Sequence, residues 1–256
     1  MVLGAGFTGL AAARQLALHH PDDEIILVEA QEVGFGASGR NSGFAIDLPH
    51  DIGAPDDIGD LATTRMKPKL NLRAQSILRG LINPHGIDCQ IRPDGKYQAA
   101  VEDKGLAVLE AYRSSLDKLG QAYEMIDTRD LPEHFGTGFY RKALYTPGTQ
   151  LAAHPGPAPA GTQQLQLQCQ WPRPTALPGP CRAPNVHAAL CCNGLGITRG
   201  TATDTLLAYW LSGERDELIG FLLRSDGPNR NPPEPLLSVG VNLNLHWGQR
   251  RAGLES

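Results

Sequence analysis

No stretch of this chain approaches the ~20 consecutive apolar residues that span a bilayer, so a transmembrane segment is not expected. The chain also lacks a basic stripe: 23 Lys and Arg stand against 27 Asp and Glu, for a net charge of −4. A nucleic-acid partner is therefore not expected. Its five cysteines, Cys89, Cys169, Cys181, Cys191 and Cys192, are odd in number and show no CxxC spacing. That excludes the usual disulfide framework and zinc signatures, so free thiols are expected and no metal site. His187 lies near the last two, but further ligands would have to come from unpatterned sequence. The N-terminus reads as strand and turn rather than a basic region followed by an apolar one, and a cytoplasmic location is expected.

The sharpest local deficit lies between Leu151 and Leu190, where forty residues hold eight of the twenty prolines and not one Asp, Glu or Lys. No hydrophobic period survives there, so residues 151–191 are expected to form an irregular Pro/Gln-rich segment open to proteolysis. What remains of the 256 residues, 41 % hydrophobic overall, is enough for one large or two smaller cores.

The N-terminal stretch "VLGAGFTGLAAARQLA" carries Gly4, Gly6 and Gly9 as GxGxxG. Val2 to Gly4 reads as the end of a strand, Thr8 to His20 as a helix with Leu10, Ala13, Leu16 and Ala17 on one face, and Ile25 to Val28 as a second strand. With so few residues before the turn, part of the first strand is expected to be missing. Gly4 allows the tight turn, Gly6 a close approach of pyrophosphate to the helix N-terminus, and Gly9 close helix–strand packing. Glu29, twenty residues beyond Gly9, can accept from ribose hydroxyls. Strand, helix and spaced acid together indicate a dinucleotide site, with Ala5, Phe7 and Thr8 in the same turn.

The fingerprint does not separate NAD from FAD. A second small-residue loop, "GFGASGRNSG", follows the ribose strand and brings Ala37, Ser38, Gly39, Arg40, Asn41 and Ser42. Its amides and Arg40 could neutralise a diphosphate from the far side.

Further along, residues 57–83 read as helical, with Leu70, Ile77, Leu78 and Leu81 apolar and Pro68 expected to interrupt the helix or start a new one. "CQIRPDGKYQAAVE" reads as a hairpin around Pro93-Asp94-Gly95. A helix is expected from Asp103 to Leu119 on Leu106, Leu109, Tyr112, Leu116 and Leu119. After Cys192 comes a helix through Leu206, Leu207, Trp210 and Leu211, then a break at Gly213 and a second helix.

The two N-terminal motifs, together with "CNGLGITRGTATDTLLAYWLSGE", resemble the FAD-dependent amine and amino-acid oxidoreductases, the group containing D-amino-acid dehydrogenase, sarcosine and glycine oxidases, and gamma-glutamylputrescine oxidase. The resemblance covers Met1 to Gly148 and Cys192 to the C-terminus. It implies FAD as cofactor, a small-molecule amine or amino acid as substrate, and Gly194, Gly196, Ile197 and Thr198 against the flavin ring. The following helix would aim its positive end at the charge that builds on the flavin. Asp204 stands where the family usually has glycine, and Tyr209 where an acid is common.

The implied fold is α/β: a Rossmann-like FAD-binding domain assembled from residues 1–50 and 192–256, with a truncated α+β substrate-side portion at 51–150. Family members are considerably longer, so a rival expectation is a truncated or frame-altered remnant that at most binds FAD. A third is an NAD-binding dehydrogenase, which would not predict the "CNGLGITRG" segment. No catalytic acid or base is assigned, since the flavin carries this chemistry. His50, His85, His134 and His154 are expected to be surface or packing residues.

Overall fold

The structure is a computed structural model that describes residues 1–48, 61–151, 179–180, 186–189, 195–225, 233 and 235–252. The chain divides into two compact units. The first comprises the described residues within Met1–His50, Gly59–Asp94 and Gly148–Pro228. The second includes Gly95–Pro147 and the described residues of Asn229–Ser256.

The first unit opens with β1 (Val2–Leu3), α1 (Phe7–His19) and β2 (Leu27–Val28), the two strands being parallel in the register Val2↔Leu27 and Leu3↔Val28. This is the expected strand–helix–strand arrangement, although only the last two residues of Ile25–Val28 pair. The expected helix face is not the buried one. Gly9, Ala12 and Gln15 are buried, whereas Leu10 is 39 % exposed. The reason is the neighbours: Gly9 faces Gly4 and Val2 of the β1 turn, and α1 packs along α5 (Thr201–Leu211), both close approaches that favour small residues.

Helix α2 (Leu61–His85) runs unbroken through Pro68, contrary to the expected interruption. Proline forfeits one backbone bond and costs ~3 kcal/mol inside a helix. The opposing gain is larger, because Leu70 and Ala74 join Ala202 and Leu206 of α5, and Leu218, Ile219 and Leu222 of α6 (Glu217–Leu223), in one core. Each such leucine or isoleucine contributes about 1.5–3 kcal/mol on burial, so packing decides. The buried face of α2 is Pro68, Leu70, Asn71, Ala74 and Gln75, while Ile77, Leu78 and Leu81 are only half-buried. Asp216 caps α6 through Oδ1, which accepts from the Ile219 amide at 2.8 Å, and Gly213 marks the break after α5 (φ +92°). Strand β3 (Phe44–Ala45) pairs antiparallel with β7 (Gln150–Leu151).

The second unit holds an antiparallel sheet in the order β4 (Lys96–Ala100), β6 (Lys142–Thr146), β5 (Glu124–Asp127). Helix α3 (Asp103–Leu119) packs on β4 and β6 through Leu109, Tyr112 and Leu116 and ends at a left-handed Gly120 (φ +67°). The short α4 (Leu131–Phe135) places Leu131 beside Ile126 and Ala143. The expected hairpin at Pro93-Asp94-Gly95 does not form. Arg92 instead exchanges backbone bonds with Leu151 at 2.7 and 2.8 Å, and β4 pairs with β6. The turn thus sends the chain from one unit to the other. At Gly95 (φ +73°) a Cβ would lie 2.4 Å from the Tyr145 ring, so side-chain packing as well as turn geometry requires glycine.

By compactness residues 61–94 fall with the first unit, to whose core α2 contributes, and α7 (Leu236–Ala252) falls with the second, a division different from the expected 1–50 with 192–256, and 51–150. Of the Pro/Gln-rich segment, β8 (Gly179–Pro180) pairs with β9 (His187–Ala188); residues 152–178, 181–185 and 190–194 lie outside the described residues, and so does the expectation for them. Among the described residues no helix is long and apolar enough to cross a membrane, and no group of His, Cys, Asp or Glu could hold a metal ion.

Candidate functional site

The β1–α1 turn is built by its glycines. Gly4 sits at φ +93°, with open space where a Cβ would stand. Opposite, a Cβ on Gly9 would lie 1.8 Å from the Gly4 carbonyl oxygen, so helix and strand meet backbone to backbone. Gly6 has a task besides the expected one. A Cβ there would meet Ser38 Oγ at 2.6 Å, and that hydroxyl accepts from the Phe7 amide at 2.9 Å. Glycine at this position lets the second loop close on the helix N-terminus. The amides of Thr8 and Gly9 have no acceptor among the described residues, which leaves the first turn of α1 open to an anion.

Glu29 is fixed to the same turn. Its Oε2 accepts from the Ala5 amide at 2.6 Å and its Oε1 from the Gln31 amide at 3.2 Å. These bonds, the Ala5 one foremost, hold the carboxyl below the usual carboxylate range. An ionised carboxylate offers about four acceptor positions, so lone pairs remain for ribose hydroxyls.

The 34–43 loop is stitched to this turn by Gly34, whose amide donates to the Ala5 carbonyl at 2.9 Å. Ala37–Gly39 forms one tight helical turn, and a Cβ on Gly39 would lie 2.3 Å from the Gly34 carbonyl oxygen. Asn41 ties the loop exit by donating to the Ser38 carbonyl at 2.5 Å and accepting from the Gly43 amide at 2.8 Å. Arg40 lies over the Phe35 ring at 4.1 Å from its centroid, and Ala37 and Ser42 are exposed. The third motif arrives as a π-helical turn, Gly196–Gly200, that leads directly into α5. It packs against α1, α2, β3 and the Ala37–Gly39 turn. Ile197 and Thr198 are buried there, and a Cβ on Gly196 would meet nothing within 4 Å. The structure thus brings the Gly4–Gly9, Ser38–Asn41 and Gly196–Thr198 segments into one unit. Gly194 lies outside the described residues, as do His50 and His154. His134 and His85 are exposed.

Two acids escaped the sequence reading of the site. Asp47 is 6 % exposed, and its Oδ1 accepts from Thr149 Oγ1 at 2.7 Å. An acid inside the apolar run "FAIDLPH" is the signal that could have found it. Asp204 was noticed as a departure, but not for its environment: it is 5 % exposed and its Oδ2 has no hydrogen-bond partner among the described residues. Tyr209 packs its ring edge-on to His19 at 4.9 Å.

The chain matches the family model for FAD dependent oxidoreductases over residues 1–165, more than half its length. It therefore belongs to that family. It is 32 % identical over 145 residues to the gamma-glutamylputrescine oxidoreductase of Escherichia coli (strain K12), covering 56 % of this chain and 33 % of that protein. The probable oxidoreductase OrdL of Haemophilus influenzae is 29 % identical over 147 residues, with the same 56 % and 33 % coverage. The chain thus spans about a third of the length of these curated relatives. Among solved structures, the glycine oxidase from Geobacillus kaustophilus aligns with a TM-score of 0.48 at 17 % identity, over 60 % of this chain and 40 % of that one.

The family's cofactor is FAD, and the residues here fit it. Space is open above Gly4 and Gly196, acceptor-free amides stand at the start of α1, and a carboxylate is held ionised beside them.

Proposed function

We propose that the chain binds FAD through the Gly4–Gly9 turn, Glu29 and the Ala37–Ser42 loop, with Gly194, Gly196, Ile197 and Thr198 against the flavin ring. The reaction is oxidation of an amine or amino acid. Bound FAD supplies the acceptor for the hydride leaving the carbon of the substrate C–N bond. The first-turn amides of α1 receive the pyrophosphate, Ser38 keeps that turn and the second loop together, and Glu29 accepts from the ribose. The Gly196–Gly200 turn supplies backbone rather than side chain at its open first position. The name of the Escherichia coli relative supports an amine as substrate. The carrying observation is Glu29 bonded to Ala5 within the glycine turn at 2.6 Å.

Recording the visible spectrum of the purified protein with FAD tests the cofactor, and titration of Glu29→Ala tests the site. Loss of charge-assisted hydrogen bonds should raise the FAD Kd roughly ten- to a hundredfold. Equal affinities would remove Glu29 from the site.

A second reading, FAD binding without turnover, is favoured by one feature. Leu3 of the parallel β1–β2 pair is 73 % exposed and Val28 43 %, whereas parallel sheets are normally covered on both faces. Assay of the purified chain with primary and secondary amines separates the two readings: a yellow protein that reduces its flavin with an amine rejects the second.

A further inference from the structure

We propose that Asp47 and Asn71 form a receptor for the ammonium group of the substrate, an inference that rests on the amine-oxidising reading above. Asp47 follows β3 by two residues, and β3 packs beside the Gly196–Gly200 turn. Its carboxylate is buried, yet its one partner among the described residues is a neutral hydroxyl, Thr149 Oγ1 at 2.7 Å. No lysine, arginine or histidine pairs with it among the described residues. A buried carboxylate is costly to desolvate unless a cation or several donors compensate it.

Asn71 supplies the independent observation. It is 0 % exposed, its Nδ2 donates to the Asp47 carbonyl at 3.1 Å, and its Oδ1 is buried with no partner among the described residues. Buried acceptors are normally satisfied, and in this cluster Asn71 Oδ1 is not. Gln75, one turn further along α2, is committed elsewhere: its Nε2 gives to the Ala45 and Gly148 carbonyls, at 2.8 and 2.9 Å. A buried carboxylate whose single shown partner is a neutral hydroxyl, with a buried unpartnered amide oxygen on the residue that bonds its backbone, suits a cationic group with several N–H bonds. A primary ammonium, with three donors, meets that description.

The neighbouring glycine is shaped to this carboxylate. A Cβ on Gly148 would stand 1.9 Å from Asp47 Oδ2, 2.6 Å from its Cγ and 3.2 Å from its Cβ. Alanine there would displace the whole side chain and break its bond to Thr149.

The test uses the full chain, with its flavin content recorded by visible absorbance, and calorimetric titration with butylammonium and with butanol as its uncharged counterpart. Wild type should bind butylammonium and not butanol. Asp47→Asn, which keeps an acceptor for Thr149, should raise the butylammonium Kd at least tenfold with unchanged far-UV circular dichroism. Wild type should also bind butylammonium at least tenfold more tightly than tetramethylammonium, which has no N–H to give, and equal binding of the two overturns the proposal; this arm stands even where Asp47→Asn misfolds. Butylammonium binding that is absent in wild type, equal in Asp47→Asn, or matched by butanol overturns the proposal. A flavin spectrum alongside any of those results leaves the FAD reading standing, so the two failures are told apart.

Discussion

Replacing Gly9 with alanine should destabilise the nucleotide-binding unit by about 3 kcal/mol or more and abolish FAD binding, at the upper end of what overpacking costs. The added methyl would stand 1.8 Å from the Gly4 carbonyl oxygen, 3.0 Å from its carbon and 3.4 Å from Val2 Cγ1. Two of these are backbone atoms, so no side chain can swing away. Gly4 itself cannot yield easily, since its φ of +93° suits glycine and its amide is bonded to the Val28 carbonyl at 2.7 Å. Relief therefore requires α1 to lift from β1, which would also break the close contact with α5. Gly80→Ala in α2 is the control: a Cβ there meets nothing within 4 Å, and a helical Gly→Ala change should stabilise by ~0.5–1 kcal/mol. Urea denaturation of the two variants should move the midpoint in opposite directions. Coincident curves for Gly9→Ala and wild type would refute the packing argument.

The same contact explains which parts of the fold could be read in the sequence. GxGxxG and the spaced Glu29 are local requirements of backbone geometry, so they are visible in the residues themselves. Helix α3 is legible for a related reason: one face packs on one sheet, and large apolar residues mark that face. Helix α1 is different. It is pressed against the β1 turn at Gly9 and runs along α5, and closeness selects Gly9 and Ala12, which hydropathy ranks below the exposed Leu10 and Leu18. Pro68 misleads because its local cost is certain, while the compensating contacts come from α5 and α6, more than 120 residues further along. The turn at Gly95 was recognisable as a turn. Which strands it serves was not, because β4 finds its partner only when Lys142–Thr146 arrives. Asp47 was overlooked since its partners, Asn71 and Thr149, lie 24 and 102 residues away.

Asp204 should make the chain lose stability as pH rises from mildly acidic to mildly alkaline. The family usually has glycine at this position in α5; here a carboxyl is buried among helices, and desolvation lifts its pKa from 3.8 to about 8. Because the π-helical turn runs into α5 without a break, Asp204 does not stand at an open helix terminus that could supply free amides. The sign follows from proton linkage. The folded state holds its proton more tightly than the unfolded one, so the contribution is fully present below pH 3.8 and is lost progressively up to about pH 8. With ~1.36 kcal/mol per unit over about four units, the loss is on the order of 5 kcal/mol. Glu29 and Glu110 carry the opposite perturbation, lowered from 4.5, so their effect falls in acid, below the range between pH 5 and 8.5. Asp204→Asn should flatten the decline between pH 5 and 8.5, since an amide does not titrate. Asp204→Gly should do more: at pH 8.5 the relief of a buried charge exceeds the ~1 kcal/mol that glycine costs in a helix, leaving a net gain of several kcal/mol. Urea midpoints at the two pH values measure both effects. A wild-type midpoint that does not fall between pH 5 and 8.5, or a fall that survives unchanged in Asp204→Asn, would show that this carboxyl is solvated or paired in solution.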